Sequence, residues 1–449
     1  MTSPPQTPKT DPGADPMATT ATATQTGDGA APHRPSLWRN GDFTKLWIAS
    51  TASQFASQIS LLALPLTAVL ALSATSAQVG YLSAAIQLPY LLISLFAGVL
   101  ADRVRRRGLL AAADLGRAAI LGVVPALYWT HELGLNWLYG LGFLAGCCTV
   151  LFDVASQAYL PRLVDRTDLG PGNSLLSVSQ SAATIGGPAL GGVLVQWLTA
   201  PVAVCASTIA YLVSVVNVWL IRHREPPVEP SGAPGATGTL RQVGQGLTLV
   251  FRNEPLRTMT VMACVFNLSN TAFDVVFVQF MPRTLHLHAG QIGLVLAAVG
   301  PGFLAGAVLA RRLPDRLGYG RTMLLTAALS DLVMPLIALT RGNGVVTTVA
   351  LMAIQFVFAS FGVANNVTML TVRQSLAPDA LQGRVAATNR FVALGIAPLA
   401  AVLGGTLGSL LGLRLSVLIT TLGFCLALIP LSASSLARLR HTLPDPINA

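Results

Sequence analysis

Twelve apolar runs, each 18 residues or longer, leave this chain few folds to choose from. An 18-residue run coiled as an α-helix is about 27 Å long, close to the thickness of the hydrocarbon core of a bilayer. Inside that core every backbone amide must be bonded within its own segment or within a closed barrel, and continuous runs without alternation select helices. The predicted spans are Trp47–Leu70, Val79–Leu100, Leu109–Trp129, Trp137–Leu160, Asn173–Leu198, Val202–Ile221, Thr258–Met281, Gln291–Leu313, Thr322–Leu339, Val345–Thr371, Val385–Leu411 and Leu415–Leu436. The expected fold class is an all-α membrane protein with twelve transmembrane helices, both termini on one side.

The chain is 53% hydrophobic and only 10% charged, too little polar surface for a soluble domain. Its net charge is +10, and of its 28 basic residues only Lys9 and Lys45 are lysines. Arg283, Arg341 and Arg414 fall in loops assigned to the outer face, and the remaining basic residues to the inner side. Short arginine-rich loops stay in the cytoplasm, so the basic balance reflects topology and not a nucleic-acid partner. The expected location is the cytoplasmic membrane, multi-pass, with both termini cytoplasmic. Cys147, Cys148, Cys205, Cys264 and Cys425 lie inside apolar runs, with neither metal-ligand spacing nor a disulfide pattern. The first run begins near Leu46 and exceeds signal-peptide length, so no cleaved signal is expected.

Composition also sets the boundaries. Residues 1–36 are rich in Pro, Thr, Ala, Gly and Asp and read as a disordered cytoplasmic tail. Trp38 and Trp47 suit the headgroup boundary. A first six-helix bundle is expected over 37–221 and a second over 258–436, with a tail at 437–449. The linker, 222–257, carries the breakers Arg222-His-Arg-Glu-Pro-Pro and Ser231-Gly-Ala-Pro-Gly, then an amphipathic helix over Gln242–Arg252 for the inner membrane face. The two bundles repeat at a constant offset of 213 residues. Ala77-Gln78-Val79-Gly80 matches Gly290-Gln291-Ile292-Gly293, Asp102-Arg103 matches Asp315-Arg316, Phe143 matches Phe356, and Gly170 matches Gly383. Four coincidences in one register indicate an internal duplication.

Between spans 2 and 3 stands Gly98-Val-Leu-Ala-Asp102-Arg103-Val-Arg105-Arg106-Arg107-Gly108. An acid and four arginines cannot lie in hydrocarbon, so they form a short surface loop. Gly98 allows close helix approach, and Asp102 with the arginines can tie helix ends by charge-assisted bonds. Gly-x-x-x-Asp-Arg-x-x-Arg-Arg resembles the signature loop between helices 2 and 3 of major facilitator superfamily transporters. The resemblance implies the major facilitator fold: two six-helix pseudo-repeats related about the membrane normal. The second copy departs from the pattern. Arg311 stands in the place of Gly98, and Gly318-Tyr-Gly-Arg321 replaces the arginine cluster.

Span 5 holds Ala183-Thr-Ile-Gly-Gly187-Pro188-Ala-Leu-Gly191-Gly192, which resembles the antiporter signature of proton-coupled drug exporters. Pro188 removes a helix hydrogen bond, and Gly187, Gly191 and Gly192 leave a groove for a neighbouring helix. Phe152-Asp153-Val-Ala-Ser-Gln157 at the end of span 4, Ala112-Ala-Asp114-Leu-Gly-Arg117 in span 3 and Leu381-Gln-Gly-Arg384-Val before span 11 resemble the DHA3 branch of drug and siderophore exporters. That branch usually has a Pro after the span 4 acid, where Val154 stands here. The resemblance implies export driven by the proton gradient. It also implies that Asp153 accepts an arginine of the 103–107 loop and closes an inner latch with the span 11 end near Arg384.

Charges inside spans are costly and mark functional candidates. Asp114 and Arg117 are three apart on one helix face and are read as a structural ion pair, with proton carriage as the alternative. Asn267, Asn270 and Asp274 form one polar stripe on span 7, with no basic residue near. By register Asn267 and Asn270 match Gln54 and Ser57 of span 1. Since spans 1, 4, 7 and 10 line the cavity in the superfamily, Asp274 becomes the first candidate for reversible protonation, the alternative being a permanently protonated hydrogen-bonding acid. Asp331 in span 9 is a weaker candidate, with a structural role preferred. Gln355, Asn365 and Asn366 in span 10 are cavity candidates or packing contacts. Asn366 occupies the register position of Asp153.

His286 and His288 lack a third metal ligand, and no phosphate-binding loop or nucleophile constellation stands out. An enzyme is not expected, nor a metal or cofactor beyond the proton gradient. The expectation is a monomeric exporter of a hydrophobic or amphipathic small molecule, antibiotic-like, partnered by protons and the lipid bilayer. A siderophore or metabolite exporter is the runner-up, and a non-transporting receptor or scaffold the rival of another class.

Overall fold

The computed structural model describes residues 37–165, 168–222, 253–376 and 379–441; within its helices the side chains of 39, 94–99, 101–103, 158 and 379–394 lie outside the described residues. The expected N-terminal tail and the Gln242–Arg252 amphipathic helix lie outside them too. Twelve helical segments follow one another: α1 Gly41–Ala71, α3 Arg106–Trp129, α6 Ala200–Leu220, α7 Glu254–Arg283, α8 Ala289–Leu317, α9 Tyr319–Leu339, α10 Val345–Leu376 and α12 Leu413–Ala433, with α2 Ser76–Arg103, α4 Leu135–Leu163, α5 Leu169–Leu198 and α11 Asp379–Leu410. Nine helices among the described residues are long and apolar enough to cross a membrane. Among the described residues the fold is all-helical, two six-helix sets in sequence, as the resemblance implies.

Many hydroxyl side chains inside these apolar helices bond back to the preceding turn: Thr67 Oγ1 donates to the Ala63 carbonyl at 2.7 Å and Thr368 Oγ1 to Ala364 at 2.8 Å. Those that do so enter hydrocarbon with their donors satisfied. Local chemistry also shapes the ends. Thr75 and Gln78 close a capping box on α2. Pro65, which has no amide to donate, stands just before the π-helical turn Thr67–Ala71 that ends α1.

The 213-residue register reappears in the packing. The pairings α1–α6, α2–α4, α3–α4, α1–α5 and α3–α6 recur as α7–α12, α8–α10, α9–α10, α7–α11 and α9–α12. The two most extensive contacts between the six-helix sets are α2 with α11 and α5 with α8; α7 also touches α1 and α2. Each of the two most extensive runs through a glycine pair. A methyl group on Gly80 would stand 2.8 Å from the Gly405 Cα, and one on Gly192 would stand 2.7 Å from the Gly293 Cα. Gly80 and Gly293, like Gly192 and Gly405, are 213 residues apart, so the crossings are pseudo-symmetric mates. Both lie toward the face that carries the loops following odd-numbered helices. On that face Arg283 of α7 also donates to the Ala74 carbonyl before α2, and to Gln279 Oε1 at 3.2 Å.

Outward surfaces are apolar: Leu410 is 81% and Trp197 80% exposed. A lipid-facing surface tolerates this, and Trp129, Trp137, Trp197 and Trp219 sit at helix ends as interfacial anchors do.

Several helices exceed the predicted spans, because polar residues at their ends continue the coil beyond hydrocarbon. Glu254 opens α7 four residues before the expected start and holds Ser435, whose amide donates to its carboxylate at 3.1 Å. The matching bond in the first set runs from the Arg222 amide to Asp42 at 3.0 Å. The start of the tail expected from 437 onward packs against the α8–α9 junction through Leu439 and Arg440. Tyr319 N–H donates to the Arg440 carbonyl at 3.0 Å and Gly320 N–H to that of Leu439 at 3.1 Å. A side chain on Gly320 would collide with the Leu436 and Ala437 carbonyls, which explains the glycine there.

Candidate transport cavity

Between the two six-helix sets lies a cavity of about 1410 Å³. Gln54, Ser57, Asn267, Asn270, Gln355, Asn365 and Asn366 all border it, as do Asp153, Arg117, Asp274, Asp331 and Pro188. The structure thus gathers residues from seven helices that the sequence treats separately.

In the first set the acids are partnered. Arg117 is 1% exposed and pairs with Asp114, itself fully buried. Ser53 Oγ of α1 donates to Asp114 Oδ1 at 3.1 Å, and Ser214 Oγ of α6 donates to Oδ2 at 2.5 Å. Arg117 also donates to Ser53 Oγ at 3.0 Å. Its guanidinium carbon lies 4.4 Å from the Phe152 ring centre and 4.5 Å from that of Tyr211. Such contacts soften the cost of a charge away from water. One cation therefore ties α1, α3, α4 and α6. Asp153 Oδ2 accepts from Tyr90 Oη of α2 at 3.0 Å. The sequence did not single out Tyr90, Tyr211, Ser53 or Ser214. A weak signal existed for one of them, because Tyr90 and Phe303 share the 213-residue register.

The second set replaces this centre. Arg117 and Asp114 correspond to Ser330 and Ala327, and Tyr211 to Phe424. Phe266, Phe358, Phe424 and Phe273 make an aromatic cluster there, Phe266 stacking on Phe358 at 6.2 Å. Asp274 opens onto the cavity and accepts from Asn270 Nδ2 at 3.0 Å. Asn267 turns its amide back to the Ala263 carbonyl at 2.7 Å. Asp331, for which a structural role is preferred from sequence, is buried and borders the same cavity.

The inner-gate residues are spread more widely. Arg107 donates to the carbonyls of Val218 at 3.1 Å and Trp219 at 2.6 Å, capping the end of α6. Arg106 is buried, while Asp315 and Arg316 are exposed at the end of α8. The side chains of Gly98, Asp102, Arg103 and Arg384 lie outside the described residues.

In α5 the glycines face two partners. Gly187 abuts Gln58 and Gly191 abuts Leu62 and Ile59 on α1, whereas Gly192 meets α8. A methyl on Gly191 would stand 3.3 Å from Leu62 Cδ2, a contact a flexible side chain can relieve. Gly191→Ala is therefore expected to keep most activity, and Gly191→Leu to lose it through overpacking of about 1–3 kcal/mol. Transport assays at matched expression check this. Equal activity of the two variants would reduce the stretch to ordinary packing.

Residues 46–399 match the family model described as Major Facilitator Superfamily. The uncharacterized MFS-type transporter y4rN of Sinorhizobium fredii (strain NBRC 101917 / NGR234) is 28% identical over 60% of this chain, and the match spans 65% of y4rN, just under two thirds. The multidrug efflux pump Tap of Mycolicibacterium fortuitum is 26% identical over 79% of this chain and 86% of its own. Among solved structures, a bacterial homologue of the iron transporter ferroportin, captured inward-facing, superposes with a TM-score of 0.70 at 16% identity, covering 89% of this chain and 99% of that one. At that identity the likeness concerns the fold alone.

Proposed function

Because the chain belongs to the Major Facilitator Superfamily, we propose that it is a proton-coupled antiporter of the DHA3 type, exporting a hydrophobic or amphipathic small molecule across the cytoplasmic membrane as a monomer. One observation carries the reading: the cavity between the two helix sets holds Asp274 without a basic neighbour on its helix, beside amides and aromatic rings. A carboxylate placed there can take a proton from the outer side and release it inside while cargo moves the other way. The similarity to Tap, whose name is that of a multidrug efflux pump, supports the cargo class.

In this mechanism the six-helix sets rock about the cavity. The Gly80–Gly405 and Gly192–Gly293 crossings close the outer side while cargo enters from inside. Protonation of Asp274 and cargo binding then bias the alternate arrangement, in which the crossings part and the Asp102–Arg107 loop, Asp153 and the α11 start near Arg384 seal the inner side. Both termini and the linker lie in the cytoplasm, because Arg105, Arg106, Arg107, Arg162, Arg257 and Arg321 gather on one face.

The direct test is uptake into inverted membrane vesicles from cells expressing the chain, with a panel of antibiotics and siderophores. Expected is accumulation of at least one apolar compound that stops when the pH gradient is collapsed. Absence of any gradient-dependent accumulation overturns the proposal. Topology is checked separately: reporters fused at Gly235 and Ala449 should both score cytoplasmic, and an extracellular signal from either sinks the orientation.

A further inference from the structure

The cavity wall built by α7, α9 and α10 narrows the chemistry of the cargo. That wall offers acceptors. Asp274 faces the cavity and Asp331, 4% exposed, borders it. Gln355 is 5% exposed and borders it too, and its Oε1 accepts no hydrogen bond from any described residue. A buried carbonyl left without a donor is costly, and Gln355 borders the cavity from which a ligand could supply that donor. Phe358 follows Gln355 by three residues on the same face of α10, its ring stacked on Phe266. Ser330, next to Asp331, donates to the Phe358 carbonyl at 3.2 Å, so the acid, the amide and the rings share one corner. The one basic residue among the described lining residues, Arg117, belongs to the opposite wall and is already paired with Asp114.

We propose that this corner recognises a protonated primary or secondary amine carried on an apolar, preferably aromatic, body. The ammonium N–H groups donate to Gln355 Oε1 and to the Asp331 carboxylate, with Asp274 adding negative charge across the cavity, while the body lies against Phe266 and Phe358. This rests on the export reading above and adds the class of cargo. The orphaned carbonyl makes the recognition more specific than charge alone. A quaternary ammonium ion brings the same charge and the same attraction to rings, but no N–H for Gln355.

The test uses the purified full chain in detergent and three probes on one skeleton: a naphthylalkyl amine, its trimethylammonium analogue and the corresponding alcohol. Equilibrium dialysis should show the amine bound about tenfold more tightly than the quaternary analogue, as one satisfied buried acceptor allows. Gln355→Leu should erase that preference, and Asp331→Asn should weaken both cations relative to the alcohol. Equal binding of amine and quaternary ion by the native protein overturns the proposal, as does a preference that survives Gln355→Leu. Vesicle uptake separates this from the export reading. Gradient-driven accumulation of all three probes without amine preference refutes the amine site and leaves export standing. Amine-selective binding with no accumulation of any probe supports the site and refutes export.

Discussion

Asp274→Asn should leave exchange of cargo across a proteoliposome membrane largely intact while its pH-driven uphill accumulation falls at least about tenfold, a change of about 1.4 kcal/mol in coupling. Asparagine keeps the size of the side chain and its bond to Asn270, but it fixes the charge at zero and so mimics the protonated state permanently. Cargo moving down its own gradient needs no proton release, whereas uphill export does. Asp274→Glu should retain part of both activities. Paired measurement on the same preparation decides the matter. Native accumulation by Asp274→Asn would remove this residue from the coupling step, and Asp331 and the Asp114–Arg117 pair would be examined next. If exchange and accumulation vanish together with correct folding, the residue is structural.

The second large effect concerns stability. Arg117→Met should strand Asp114 as a fully buried carboxylate, retaining only the Ser53 and Ser214 hydroxyls. Breaking one side of such a pair costs about 3–5 kcal/mol, whereas replacing both sides with neutral groups of similar size is often tolerated. The double variant Asp114→Asn with Arg117→Met is therefore expected to recover most of the melting temperature lost by the single variant. Arg117→Lys should recover little, because an ammonium cannot match the planar contact with Phe152 and Tyr211. Thermal unfolding in detergent reads all three. A double variant no more stable than the single would mean that Arg117 acts through the rings and not through Asp114.

The spans were legible because apolar length is a local property, and the duplication because insertions between the copies are few. The polar stripe of span 7 was legible for the same reason: Asn270 and Asp274 are one turn apart and bond within their own helix. What joins different helices was not. Nothing local marks Phe152 and Tyr211 as the flanks of Arg117, since the three residues come from α4, α6 and α3. Periodicity names a buried face but not the helix that buries it, so nothing local to span 9 shows that Asp331 borders the cavity. The glycines of span 5 were legible as a groove, yet their division between α1 and α8 depends on which helices arrive from the other copy. The last span is predicted to end at Leu436, whereas α12 ends at Ala433, and the bonds of Leu439 and Arg440 to Tyr319 and Gly320 are made by backbone atoms, which side-chain patterns do not report.

The two glycine crossings carry a thermodynamic consequence. When two helices close through leucines, each side chain gives up rotamer freedom worth about 0.5–1 kcal/mol, and regains it on parting. Gly80, Gly405, Gly192 and Gly293 have no rotamers to surrender. Their contacts can form and break with little change in side-chain entropy, leaving the balance between closed and open to contact enthalpy and lipid. Warming the membrane should then shift the equilibrium of this chain less than that of a variant in which one crossing is rebuilt from larger residues.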